Sequence, residues 1–289
     1  MGNPLSSLDV TVFRNLYALT FLDLDNTTLT ALPVGLFDGL YKLEELYLCN
    51  NQLSDLKNGT FRELYTLRIL DLSNNSIEHL DPYLFADMPK LKEIGLSKNK
   101  LTALDDRLFA AQLGLLVLHL SNNRLVSFDL QAMSYARTLF FLDLDGNRLQ
   151  SVRIAPNLEF LTVDDNQLST LQLPDSDYYR MTTLSIQNNS FSSLESTYRF
   201  DRLVNLNVTL NRLAAIDLAL IAEQFPRLNV FNASLAGIES LGSLATSHRH
   251  KALQHLDLSN NTLTDSEIRK IDQFPKLESF EYGGNRIRK

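Results

Sequence analysis

The sequence holds a single cysteine, Cys49, in 289 residues. One thiol excludes an internal disulfide framework and a thiolate metal cage. It leaves the redox compartment open, because the paired cysteines of a secreted protein can lie in segments flanking this one. Basic charge is also in deficit, with 27 Lys and Arg against 34 Asp and Glu and a formal net charge of -7. Nucleic-acid affinity comes chiefly from clustered Lys and Arg, so no nucleic-acid partner is expected. No run of the chain approaches the roughly 18 to 20 apolar residues that a membrane span needs, and the start, MGNPLSSLDV, lacks the basic and apolar regions of a signal peptide.

What is abundant is leucine at fixed intervals. The frame L-x-x-L-x-L-x-x-N-x-L begins at Leu19, Leu43, Leu67, Leu91, Leu115, Leu139, Leu158, Met181, Leu203, Leu228, Leu253 and Leu277, mostly 24 residues apart. The ninth frame position is asparagine in ten repeats: Asn51, Asn75, Asn99, Asn123, Asn147, Asn166, Asn189, Asn211, Asn261 and Asn285. A side-chain amide both donates and accepts, so stacked asparagines can satisfy backbone groups where a coil turns away from its strand. Repeat one has Thr27 at that position and repeat ten has Ala236, which predicts a local irregularity in repeat ten. Between frames an F-x-x-L signal at Phe13, Phe37, Phe61, Phe85 and Phe109, continued by Met133, predicts a stacked apolar spine with a packing role only. Residues 5–18 align with the second half of a repeat, and the chain stops without a capping element. The expectation is one domain over 1–289, with a partial repeat at 1–18 and twelve repeats after it, taken from a longer protein or covered at its ends by a partner.

The 24-residue spacing with F-x-x-L resembles the extracellular leucine-rich-repeat family of animals. Phrases such as Leu29-Thr-Ala-Leu-Pro-Val-Gly-Leu-Phe-Asp-Gly-Leu40 are similar to Toll-type receptors and to secreted leucine-rich immune proteins of insects. The resemblance implies an α/β solenoid, a curved horseshoe with a parallel β-sheet on its concave face and irregular or short helical segments on its convex side. It also implies a secreted, glycosylated protein of innate immunity that binds a protein partner, such as another leucine-rich-repeat protein, with no cofactor. A cell-surface adhesion or developmental receptor ectodomain and an intracellular scaffold or inhibitor are the other readings. The later repeats depart from the pattern, losing the phenylalanine while the spacing drifts to 19, 23, 22 and 25.

Strand alternation places frame positions three, five and seven outward, and twelve strands at about 4.8 Å each span roughly 55 Å, a length that suits a macromolecule. The expected contact centres on repeats four to seven. There an apolar column of Val117, Phe141 and Phe160 lies beside His119, a basic edge of Lys98, Lys100, Arg124 and Arg148, and an acidic patch of Asp143, Asp145, Asp164 and Asp165. The four aspartates read either as a surface kept for a cationic group or as a cluster that Arg124 and Arg148 can neutralise without a Ca²⁺ ion. His119, Ser121 and Asp143 nominally assemble a Ser-His-Asp set, but the frame generates it and no glycine elbow accompanies it, so no catalytic residue is expected. His248 and His250, with His255 nearby, are interleaved with Arg249 and Lys251, which oppose a cation, so no metal site is expected there. Seven glycosylation sequons have acceptors at Asn26, Asn58, Asn74, Asn188, Asn207, Asn232 and Asn260. The frame itself creates those at Asn74, Asn188 and Asn260, while sugar on Asn207 or Asn232 would mask the later strands. Cys49 faces outward, where an odd thiol either pairs between chains or stays inert.

Overall fold

In the computed structural model, which describes residues 6–130, 137–242 and 252–287, the chain separates into two compact units, Met1–Arg148 and Leu149–Lys289. Asn3, Leu5, Met133, His248 and His250 lie outside the described residues.

In the first unit each frame forms a three-residue strand: β1 (Phe21–Asp23), β2 (Glu45–Tyr47), β3 (Ile69–Asp71), β4 (Glu93–Gly95) and β5 (Val117–His119). A short β6 (Ser127–Asp129) precedes the last frame strand of the unit, β7 (Phe141–Asp143). The frame strands pair in parallel and in register, Leu22 beside Leu46, Leu70, Ile94, Leu118 and Leu142 in turn. Alternation buries the central residue of β2, β3, β5 and β7 and turns its two neighbours outward, while Leu22 on the terminal β1 is half-buried and Gly95 on β4 is buried.

The chain leaves each strand through a residue in the left-handed region, at frame position eight: Asn26, Asn50, Asn74, Lys98, Asn122 and Gly146, with φ between 53° and 64°. Asparagine and glycine tolerate that backbone best, which is why the frame reads N-N. The next residue is the buried asparagine. Asn99 donates to the carbonyls of Leu72 and Leu96 at 3.0 and 3.1 Å and accepts from the Ile77 amide at 3.0 Å. Asn51, Asn75, Asn123 and Asn147 repeat the scheme. In repeat one, Thr27 substitutes by donating its hydroxyl to Leu24 O, while its amide is taken by Asn51.

The phenylalanine spine is stacked as expected. Phe13–Phe37 and Phe37–Phe61 centroids lie 6.2 and 5.9 Å apart, and Phe85–Phe109 5.8 Å apart. The accompanying leucine column passes to Met88 after Phe85 and to a polar residue after Phe109, where Gln112 is buried, its amide donating to the carbonyls of Phe85 and Met88.

The second unit contains β8 (Ser151–Arg153), β9 (Phe160–Thr162), β10 (Thr183–Ser185), β11 (Asn205–Asn207), β12 (Val230–Asn232), β13 (His255–Asp257) and β14 (Ser279–Glu281). Strands β9 to β14 form a second in-register parallel ladder. Opposite it, where the phenylalanine signal fades, short helices appear: α1 (Leu218–Gln224), capped by the Asp217 carboxylate on the amides of Ala219 and Leu220, and α2 (Asp265–Ile268). The irregularity expected at Ala236 is present. The Leu213 amide, lacking an asparagine oxygen, bonds to the Ala236 carbonyl at 2.8 Å, and Asn261 accepts from both Ala236 and Ile238 amides.

Candidate interaction face

Six strands give the first unit an outward surface of two columns beside one another. Position three carries Phe21, Glu45, Ile69, Glu93, Val117 and Phe141, and position five carries Asp23, Tyr47, Asp71, Gly95, His119 and Asp143. Neither column, nor position seven behind them, contains Lys or Arg.

The residues singled out in the first unit do gather. Val117 pairs with Phe141 and His119 with Asp143 across β5 and β7, all half-exposed. The His119 ring packs against Phe141 with centroids 5.3 Å apart. Its Nε2 lies 3.7 Å from Glu93 Oε1 and its Nδ1 3.9 Å from Asp143 Oδ2. The hydrogen bond to Asp143 and the nearby carboxylates hold the imidazole pKa above its ordinary value against the opposing effect of burial. Burial alone would push the Asp143 carboxyl up, but hydrogen bonds from His119, Ser121 and the Asp145 amide outweigh it and leave the carboxyl below its ordinary range. Ser121 Oγ is 2.9 Å from Ser97 Oγ, so the nominal Ser-His-Asp set is a surface network.

The basic edge stands in the turns beyond the strands. Lys98 is exposed in the left-handed conformation, and Lys100 Nζ lies 3.9 Å from Glu78 Oε1. Of the two readings of the aspartates, neutralisation by Arg124 and Arg148 is absent among the described residues. Arg124 and Arg148 are exposed and make no ion pair among the described residues. Asp143 is held by His119, and Asp145 donates its amide to Asp143. Short hydroxyl and backbone donors reach a carboxylate at lower cost than a long, strongly hydrated side chain that must be ordered.

In the second unit Phe160 is half-exposed on β9. Asp164 accepts from the Ser185 hydroxyl at 2.6 Å and from the Gln187 amide at 2.6 Å, and Asp165 accepts from the Asn188 side chain at 2.6 Å. Position five is uncharged on β9 to β12, with Thr162, Ser185, Asn207 and Asn232, and acidic on β13 and β14, with Asp257 and Glu281. His255 is exposed on β13.

Cys49 is half-buried and its thiol donates to Asp25 Oδ2 at 2.8 Å. Burial, that bond and the charges of Asp25, Asp71 and Asp23 push the thiol pKa up to about 12. Tyr47 is likewise pushed up to about 12 by burial and by its bond to Glu45. Sequence reasoning did not find the recess of about 330 Å³ between these groups, bounded by Tyr47, Asp71, Glu93 and His119 and floored by Gly95. A Cβ at Gly95 would collide with Asp71 Oδ1 and crowd Ser73 Oγ. The one signal for it was glycine at an outward strand position, where a side chain is otherwise present.

Of the sequons, Asn26, Asn58, Asn74, Asn188 and Asn260 are exposed. Asn26, Asn74, Asn188 and Asn260 occupy the left-handed position, which explains why the frame generates them. Asn74 donates to Asn50, whereas Asn207 and Asn232 are half-buried on β11 and β12 and Asn207 donates to Ser185 and Gln187.

Among known proteins, a family model described as leucine rich repeat matches residues 1–53, 41–101 and 89–149, and a second of the same description matches 252–274. No relative was found among curated protein sequences. A LRIM1/APL1C complex contains a chain 24% identical over 99% of this one, with a TM-score of 0.88 and 52% of its own length covered. The leucine-rich-repeat domain of APL1 matches at 24% identity and a TM-score of 0.88, covering 99% of this chain and 73% of that one. Toll, in a Toll–Spätzle complex described as a hub in Drosophila development and innate immunity, matches at 23% identity and 0.83, covering 98% of this chain and 40% of that one. The chain thus spans about half the length of the LRIM1/APL1C match. With models of the repeat matching 1–149 and the strand, turn and asparagine scheme recurring in both units, this chain belongs to the leucine-rich-repeat family.

Proposed function

We propose that the chain is the recognition part of an extracellular protein of innate immunity and that it binds a protein partner through the strand face, with no catalytic residue and no cofactor. The observation that carries the reading is the half-exposed Val117–Phe141 pair with His119 packed on it, an apolar centre rimmed by Glu93, Asp143 and Asp145 on the strands and by Lys98, Lys100, Arg124 and Arg148 in the turns. An apolar centre inside a charged rim is how interfaces concentrate affinity, with aromatic side chains carrying much of it. Phe160, Asp164 and Asp165 are proposed as contact residues on the strand face of the second unit. Precedent supports it, since the LRIM1/APL1C and Toll–Spätzle matches are both assemblies of proteins.

Secretion and glycosylation are part of this reading, with Asn58, Asn74 and Asn188 as acceptors that mass spectrometry of protein from its native host would find modified. If all three are bare, the intracellular-scaffold reading gains. Cys49 as a link between chains is tested by non-reducing electrophoresis under mild oxidation, where a crosslinked dimer supports the link and a monomer removes it. The central test is substitution on the face. Phe141→Ala and Phe160→Ala should each weaken binding of the authentic partner by about 1 to 3 kcal/mol with circular dichroism unchanged. Full affinity in both variants would move the site elsewhere.

A further inference from the structure

Over β1 to β3 the outward columns of the first unit alternate in opposite phase. Each of the first three strands presents one carboxylate and one apolar side chain: Phe21 beside Asp23, Tyr47 beside Glu45, Ile69 beside Asp71. Every carboxylate therefore has an apolar or aromatic group beside it on its own strand and another on the neighbouring strand. An ordinary solvated acidic surface has no need of this, and solvated acids are commonly interspersed with Lys and Arg. Among the described residues no Lys or Arg nitrogen lies within 4 Å of a carboxylate oxygen of Asp23, Asp25, Glu45, Asp71 or Glu93. Arg68 and Lys92 line one recess with Glu45 and Glu93, but their cationic ends are engaged by Glu44 and by the Gly114 carbonyl.

Two features make this face fit one kind of occupant. Phe21 is 51% exposed and its ring meets Tyr47 at 5.5 Å, an aromatic platform left in water. Two strands on, the Gly95 recess of about 330 Å³ opens between Asp71, Glu93, Tyr47 and His119. A guanidinium is planar and weakly hydrated, stacks on an aromatic face and meets a carboxylate with two parallel donors. An ammonium carries the same charge but gains less from the rings. The negative potential is felt by neighbouring groups, since carboxylate charges contribute to holding the Cys49 thiol and the Tyr47 phenol protonated.

We infer that the strand face of the first unit receives an arginine-rich segment of the protein partner, with one guanidinium in the recess over Gly95 and another on the Phe21–Tyr47 platform. The inference rests on the proposed function and deepens it, naming the chemistry of the partner. It also extends the contact from β5 and β7 back to β1.

The test uses the intact chain and two fluorescent probes, nona-arginine and nona-lysine, followed by anisotropy at low and physiological salt. Nona-arginine should bind at least about fivefold more tightly than nona-lysine, and weaken with salt. Asp71→Asn with Glu93→Gln keeps the hydrogen-bond acceptors and removes two charges; it should cost about tenfold in affinity for nona-arginine. Asp257→Asn with Glu281→Gln removes two charges from the strand face of the second unit and should cost less than about twofold. Phe21→Ser should narrow the preference for arginine over lysine, weakening nona-arginine several-fold more than nona-lysine. Equal losses from the two charge pairs, or equal binding of the two peptides by the parent, would overturn the inference. Its failure is separable from that of the proposed function. If Phe141→Ala releases the authentic partner but nona-arginine does not compete with it, the face stands and the arginine-rich occupant falls. If nona-arginine competes while Phe141→Ala and Phe160→Ala have no effect, the proposed centre falls.

Discussion

The two units use the same strand and the same asparagine, yet differ in what surrounds them. In the first, five frames follow at 24 residues, a phenylalanine returns at each turn, and rings stack on rings. In the second, the spacing varies, the buried rings shift to Phe200, Phe225 and Phe274, three residues before their frames, and meet neighbours edge-on as in Tyr179–Phe200 and Tyr198–Phe225, and α1 and α2 fill the side opposite the strands. The outward columns differ as well: five carboxylates stand in those of the first unit, whereas amides and hydroxyls are commoner in the second, whose carboxylates are Asp257 and Glu281 on β13 and β14. A repeat of constant length keeps equivalent side chains at equal depth, so a ring can only stack where the length holds. When it changes, the turn side must be rebuilt locally, and a capped helix does so by satisfying its own backbone.

The largest expected effect attacks the spine. Phe85→Ala removes a fully buried ring stacked on Phe109 and should destabilise the first unit by about 3 to 5 kcal/mol. Because repeats are coupled mainly to their neighbours, hydrogen exchange should show lost protection around β3 to β5 and little change in β12 to β14. Uniform loss throughout the chain would break the distinction between the units.

Next comes the ladder. Asn99→Ala leaves the buried Ile77 amide without its partner and takes one of two donors from each of the Leu72 and Leu96 carbonyls, which keep Asn75 and Asn123, and should cost about 2 kcal/mol in urea denaturation. Asn285→Ala, made where the position is only half-buried and water can replace the amide, should cost about 1 kcal/mol or less. Equal costs at the two sites would mean that burial is not what gives the ladder its strength.

A smaller effect of opposite sign is expected at the turns. Position eight of the second unit holds Leu210 and Leu235 at φ 57° and 51°, exposed by 41% and 48%, where the first unit mostly has asparagine. Leu210→Asn and Leu235→Asn should each raise stability by about 1 kcal/mol, and Asn50→Leu should lower it by a similar amount, as read from thermal midpoints. No gain in the second unit would show that the leucines are held by contacts that offset the backbone strain.

The smallest effect is electrostatic. His119 should titrate above the ordinary histidine value in proton NMR, and Asp143→Asn should bring it down. A raised folded pKa means that the stabilisation is complete below the unfolded value of about 6.5 and fades as pH rises through the folded value. Asp143, with its pKa lowered, contributes above its unfolded value and loses that contribution as pH falls through the folded one. The pair therefore stabilises most between the two ranges. A histidine unmoved by Asp143→Asn would remove the pairing.

Much of this was written in the chain. Leucine spacing determined where every frame strand forms, because a period of alternation inside a longer fixed period leaves one way to bury the leucines. The ninth-position asparagines determined the ladder, and the exception at Ala236 located its one detour. Even the face-forming residues Val117, His119, Phe141 and Asp143 could be placed together from frame numbers, since parallel in-register strands set equal positions side by side. What the tertiary structure alone decided were matters of reach and room. Whether Arg124 or His119 meets Asp143 depends on side-chain distance across strands, which spacing does not encode. That Gln112 can lie buried depends on carbonyls of the preceding repeat, at Phe85 and Met88, pointing at it. The recess over Gly95 exists because a missing side chain on one strand meets large ones on its neighbours, and a void of that kind belongs to three strands at once.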